Sequence, residues 1–118
     1  MLVVTVAALA AAPVAGAATF VVDRTDEPAG AGACTAAPSD CSLQQAMTLA
    51  NADAGADTVE LAAASYLTTG VYATAPLTLA GAGARATVLH GVGLAVHINT
   101  PGAVEVRDMT ITGALDVL

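Results

Sequence analysis

Chemistry in this chain would have to start from two cysteines, a few clustered carboxylates and amides, and two imidazoles. Cys34 and Cys41 bound the loop CTAAPSDC, which contains Pro38. In an oxidising compartment two cysteines can form only one intramolecular bridge. The chain-entropy argument assigns about 2.5 kcal/mol to closing a loop of roughly eight residues. The rival reading, a structural zinc site, calls for a CxxC spacing or a second Cys/His pair, and neither is present. Asn51, Asp53 and Asp57 offer oxygen ligands at two- and four-residue spacing. A calcium loop of the EF-hand kind needs Gly at its sixth position and Glu at its twelfth, whereas Gly55 falls fifth and no Glu stands twelfth. These residues therefore read as the turn that leaves a helix, with Asp57 ordering the entry to a strand. Asp23, Asp26 and Glu27 beside Arg24 read as a solvated acidic loop.

The imidazoles are His90 and His97. In LAVHIN, Leu94, Val96 and Ile98 alternate with His97, which places His97 on the solvent face. As a lone exposed imidazole it is expected to be a surface residue and not a general base. Ser39, Ser42 and Ser65 are outside any nucleophile elbow. GAGA at 81–84 lacks the Gly-Lys-Ser/Thr and the helix of a phosphate loop. Glu105 and Arg107 share one strand face, and with Asp108 they predict a surface charge network, the kind of face that can also line a carbohydrate groove. No catalytic, cofactor-binding or metal-ligating residue is assigned on this basis, and no cofactor is expected.

Composition narrows the partners. The 118 residues carry a formal charge of −7, with Arg24, Arg85 and Arg107 as the only side-chain cations besides histidine. Nucleic acid and anionic membrane surfaces both require clustered Lys and Arg, so neither is an expected partner. Hydrophobic residues make up 56% of the chain, but the excess is alanine, with one Phe, two Tyr and no Trp. Alanine buries little apolar area per residue, so burial is weaker than the percentage implies.

The first 22 residues, MLVVTVAALAAAPVAGAATFVV, contain no charged side chain. An apolar run from Leu2 to Ala12 precedes Pro13 and the small-x-small tripeptide Ala15, Gly16, Ala17. This order predicts a signal peptide over 1–17, cleaved between Ala17 and Ala18, although no Lys or Arg precedes the apolar run. A retained membrane anchor is the competing reading, and would be the chain's one membrane contact. Export then places the protein in the secreted or cell-surface compartment and supplies the oxidising conditions for the Cys34–Cys41 bridge.

The elements follow. TFVVD at 19–23 suits a strand, and the stretch to Asp40 is loop by its Gly, Pro and Asp content. Ser42 suits an N-cap with Gln45 three residues on, a capping box. Leu43, Ala46, Met47 and Ala50 then form one apolar stripe on a helix of about nine residues, stopped by Asn51 to Asp57. So short a helix must pack against something. From Thr58 onward brief period-2 runs take over: TVEL at 58–61, PLTLAG at 76–81, TVLHG at 87–91, LAVHIN at 94–99, VEVRD at 104–108 and MTITG at 109–113. LTLAG at 77–81 and MTITG at 109–113 share a five-residue pattern. Short strands with turn punctuation suggest a stacked β-solenoid, and a small β-sandwich built from hairpins is the alternative. The lack of Asn-Gly or Asp-Gly turns counts against hairpins.

The run CSLQQAMTLANADAGADTVEL, followed by APLTLAGAGARATVL, resembles the CSLREA domain, the amino-terminal region of secreted or surface bacterial right-handed parallel β-helix proteins. The resemblance covers roughly residues 19–113. It is carried by Cys41, Ser42, Leu43, Ala46, Ala50, Asn51, Gly55, Asp57, Thr58 and Leu61, whereas Gln44 and Gln45 stand where the family has Arg and Glu. Gln45 keeps the capping capacity, but a salt bridge made by that pair is lost. The resemblance implies an all-β, right-handed parallel β-helix: a signal peptide at 1–17, a cap with a disulfide loop and short helix at 18–57, and about two coils at 58–118. A solenoid needs roughly three repeats plus caps, so the chain is expected to be the amino-terminal part of a longer protein. The expected function is a non-catalytic cap and first coils of an exported adhesin- or passenger-type protein. The alternative is the start of a β-helix polysaccharide lyase or hydrolase whose active site, like any cell-surface or carbohydrate contact, lies in later coils.

Overall fold

The computed structural model describes residues 16–26 and 34–117. The expected signal sequence, apart from Gly16 and Ala17, lies outside the described residues, as does Glu27 of the acidic loop. One helix and eight strands follow in the order β1 (Thr19–Val22), α1 (Leu43–Ala52), β2 (Asp57–Leu61), β3 (Ser65–Thr68), β4 (Val71–Ala73), β5 (Leu77–Ala80), β6 (Val88–Ile98), β7 (Val104–Arg107) and β8 (Thr110–Val117). Among the described residues the structure is mostly strand with one short helix, as an all-β fold requires.

Every strand pairing among the described residues is parallel. One sheet has the order β1-β2-β5-β7, and in the other β6 is flanked by β3 and β4 on one side and by β8 on the other. The chain alternates between the sheets, from β2 to β3 and β4, back to β5, on to β6, back to β7 and on to β8. Parallel neighbours cannot be joined by two-residue turns, so the hairpin sandwich is excluded.

Register explains why so alanine-rich a chain packs. Parallel partners point to the same face, so side chains form columns that run through successive layers. In the first sheet Phe20, Val59, Leu79 and Val106 form one column. In the second, Tyr66, Leu89 and Ile111 form another, and Val71, Val96 and Leu115 a third. Val59, Leu79, Leu89 and Val96, each with a layer on either side, are fully buried, and so is Val71 at the start of its column, on the strand that meets α1. At β8 the columns end: Leu115 is 53% and Val117 62% exposed, although their partners Val96 and Ile98 are buried or half-buried. Burial of Tyr66 pushes its phenol above the usual range, while its hydroxyl donates to Ala62 O at 3.3 Å.

Three features depart from the sequence pattern. SYLT and VYA form β3 and β4, strands too short and too interrupted by Thr69-Gly70 to stand out, and they add a layer to the second sheet. TVLHG and LAVHIN form one long strand, β6, whose pairing with β8 shifts register between His90 and Val96. LTLAG and MTITG are not equivalent. The first lies in β5, between the β2 run DTVE and the β7 run VEVR, and the second lies in the other sheet. The shared pattern reflects a common strand-and-glycine grammar, not a repeat of one position.

Gly81 shows how closely the layers approach. Its N–H donates to Arg107 O at 3.0 Å, and a Cβ there would stand 2.3 Å from the backbone carbonyl of Asp108. Backbone cannot yield as a flexible side chain can. Gly81→Ala is therefore expected to cost ~1–3 kcal/mol, within the range for overpacking. A urea midpoint unchanged from the parent would show that the layers do not meet there.

Candidate functional site

The residues of the expected cap assemble at the start of the two sheets. Ser42 is buried and its Oγ accepts from the Gln45 N–H at 3.1 Å, so the N-cap expected from the capping pattern is present. Leu43, Ala46, Met47 and Ala50 are the buried face of α1, the same stripe the spacing predicts. The helix runs through Asn51 to Ala52 instead of stopping at Asn51, and Asp53 closes it by donating its N–H to Leu49 O at 3.0 Å. The stripe packs on β1, β2 and β4.

The flank of α1 beside this stripe does something the sequence did not disclose. Strand β4 pairs with β6 on one side, through residues 71 to 73. Its other side would leave the backbone groups of Gly70, Tyr72 and Thr74 without a strand partner. Asn51 Nδ2 donates to Tyr72 O at 2.7 Å, and Asn51 Oδ1 accepts from Thr74 N at 2.9 Å. A residue on a parallel neighbour opposite Ala73 would make the same two bonds with its own N–H and C=O. The side-chain amide of Asn51 thus stands in for a missing strand, because only an amide carries a donor and an acceptor in peptide-like geometry. Gln44 Nε2 donates to Gly70 O at 2.8 Å and extends the cover by one more group. Gly70 itself has φ +125°, the conformation that turns β3 into β4 and that L residues rarely adopt.

The first sheet is tied down nearby. Cys34 and Cys41 form the expected disulfide, with Cα atoms 4.3 Å apart. Asp23, just past β1, donates its N–H to Cys41 O at 3.0 Å, and its Oδ1 accepts from Cys41 N at 2.8 Å. Asp40 Oδ2 accepts from Thr35 N at 2.9 Å and from the Thr35 hydroxyl. On the exposed rim, Arg24 Nε meets Asp26 Oδ1 at 2.6 Å. That hydrogen bond holds the Asp26 carboxyl below its ordinary range and the guanidinium above its own. Asp23 and Asp26 are thus separate devices and not one acidic cluster. Asn51, Asp53 and Asp57 also part company, on a strand edge, a helix end and a buried strand start, so they form no common ligand set.

One expectation needs correcting. His97 lies on the outer face of β6 but is not alone. Its Nδ1 is 3.0 Å from Asp116 Oδ2, and its ring is tilted 58° to Tyr72 with centroids 5.3 Å apart. Register makes this row, since Tyr72, His97 and Asp116 occupy one position on β4, β6 and β8. No partner for His97 could be seen in the local sequence, because Asp116 is 19 residues away. In the same way His90 meets the Thr112 hydroxyl one layer on. Glu105, Arg107 and Asp108 form the predicted charge network, with N–O distances of 3.7 Å and 2.6 Å. Among the described residues both cysteines are in the disulfide, and no group of three or more His, Cys, Asp or Glu is placed to hold a metal ion. No described helix is long and apolar enough to cross a membrane.

No family model, curated protein sequence or solved structure matches this chain.

The amide cover has a direct test. Asn51→Ala leaves the Tyr72 carbonyl and the Thr74 N–H unpaired, and is expected to cost ~1–2 kcal/mol. Asn51→Asp retains the acceptor but loses the donor to Tyr72 O, so it should cost at least as much. Amide hydrogen exchange at Thr74 should accelerate in Asn51→Ala. Unchanged exchange there would show that the side chain does not protect this edge.

Proposed function

We propose that this chain forms the amino-terminal cap and opening coils of an exported right-handed parallel β-helix, and that the work of these residues is architectural. The single observation that carries the reading is the amide of Asn51 pairing the free edge of β4 as a strand would. A strand edge left bare is a template for pairing with other chains. A helix that presents Asn51 and Gln44 to that edge, and an apolar stripe to the core beside it, seals the stack at one end. The alternation of the chain between two parallel sheets supports the solenoid, with right-handed connections the strong default for parallel strands. The likeness of Cys41–Leu61 to the CSLREA domain supports the same assignment. The signal-like residues 1–17 and the Cys34–Cys41 bridge support export to the secreted or surface compartment.

Two measurements test the parts separately. Fused to a reporter active only outside the cytoplasm, the whole chain should deliver it there, and removal of residues 1–17 should abolish delivery. Removal of residues 18–57 from the exported protein should convert a soluble species into large aggregates by light scattering, because the edge of β4 is then bare. Delivery without residues 1–17 would sink the export reading. A soluble monomer without residues 18–57 would sink the cap.

A further inference from the structure

Asp57 opens β2 with a side chain only 1% exposed. Its Oδ1 accepts from the backbone N–H of Ala18 at 2.8 Å, while its Oδ2 is buried without a hydrogen-bond partner. A buried carboxylate held by one neutral donor is a costly arrangement, since its charge is neither paired nor fully solvated. The group facing it is the nitrogen of Ala18, the residue that the small-x-small pattern predicts to become the mature amino terminus. Gly16 and Ala17 are exposed, and among the described residues the first backbone bond into the fold is made at Ala18, whose carbonyl accepts from Thr58 N at 2.9 Å. The cleavage point read from the sequence and the first backbone bond among the described residues therefore fall at the same residue.

We propose that the α-ammonium group created at Ala18 by leader removal is the counter-ion of Asp57, and that this buried pair makes the folded cap dependent on processing. The inference rests on the export reading above. Hydrolysis of the Ala17–Ala18 bond by a leader peptidase consumes one water, leaves a carboxylate on Ala17 and turns the Ala18 nitrogen into –NH3+. One N–H donor becomes three, enough to serve both Asp57 oxygens, and a positive charge arrives where a buried negative charge has none. Before cleavage the same carboxylate opposes folding. After cleavage it anchors the start of β1 to β2.

The composition supplies a selective probe. These 118 residues contain no lysine, so within them the α-amine is the sole primary amine after processing. Amino-terminal sequencing of the exported chain should begin at Ala18. Acylation by an amine-reactive ester should be at least about tenfold slower in the folded protein than in the same protein in denaturant, because a half-buried amine held protonated by a buried carboxylate is a poor nucleophile. Protein acetylated while unfolded and then refolded should show an unfolding equilibrium shifted toward the unfolded state by at least about tenfold, a fold-change equivalent to ~1.4 kcal/mol. Asp57→Asn should remove most of the difference between acetylated and free protein. A sequence beginning at Met1 would overturn the export reading and the pair together. A processed chain beginning elsewhere would leave export standing and overturn the pair alone. Equal acylation rates folded and unfolded, or an acetylation penalty as large in Asp57→Asn as in the parent, would also overturn it. If Asp57→Asn fails to fold, the acylation rate and the acetylation penalty of the parent decide the matter.

Discussion

A stack of parallel strands satisfies its backbone only between layers, so the first and last strands each present a row of N–H and C=O groups with nothing opposite. Everything distinctive about the beginning of this protein answers that constraint. The edge of β4 is met by Asn51 and Gln44, two amides carried on a helix. A carboxylate or hydroxyl would satisfy part of such an edge, but an amide supplies donor and acceptor together. The helix is also placed by its apolar stripe, so the bonds to the edge depend on burial of Leu43, Ala46, Met47 and Ala50. Packing and hydrogen bonding are coupled here: a change in the stripe would move the amides away from the strand.

Stacking also explains how a chain with so little large apolar surface holds together. Alanine contributes little per residue, but columns such as Val59–Leu79–Val106 cover each side chain from both sides. Glycine allows the connecting turns to approach as closely as Gly81 approaches Asp108. The same logic accounts for the opposite end, where Leu115 and Val117 continue buried columns into solvent. Their exposure comes from position in the stack and not from a change of residue type.

The outer face follows a different rule. Register brings together residues remote in sequence, so Tyr72, His97 and Asp116 form a row that no local motif announces. The alternation in LAVHIN correctly put His97 outside, yet alternation is a property of one strand and says nothing about its neighbours. On its own strand His97 is therefore solitary, and the next layer makes it one member of a pair. Asp57 opens β2, as its place after the turn predicts, but its burial is not local. Its neighbours Gly55 and Ala56 look like turn, and only the approach of β1 encloses its carboxylate.

What the sequence determined by itself is local: the disulfide of Cys34 and Cys41, the cap at Ser42 with Gln45, the buried stripe of α1 and most of the strands. Each depends on spacing within a few residues, where backbone geometry leaves few choices. The short strands β3 and β4 escaped because three or four residues do not establish a period. Tertiary structure decided the rest: the parallel order of the sheets, the non-equivalence of LTLAG and MTITG, the histidine row, and the use of Asn51 as a surrogate strand. Those depend on which layers meet and in what register. Register is set by the summed fit of whole columns, a quantity that no single segment contains.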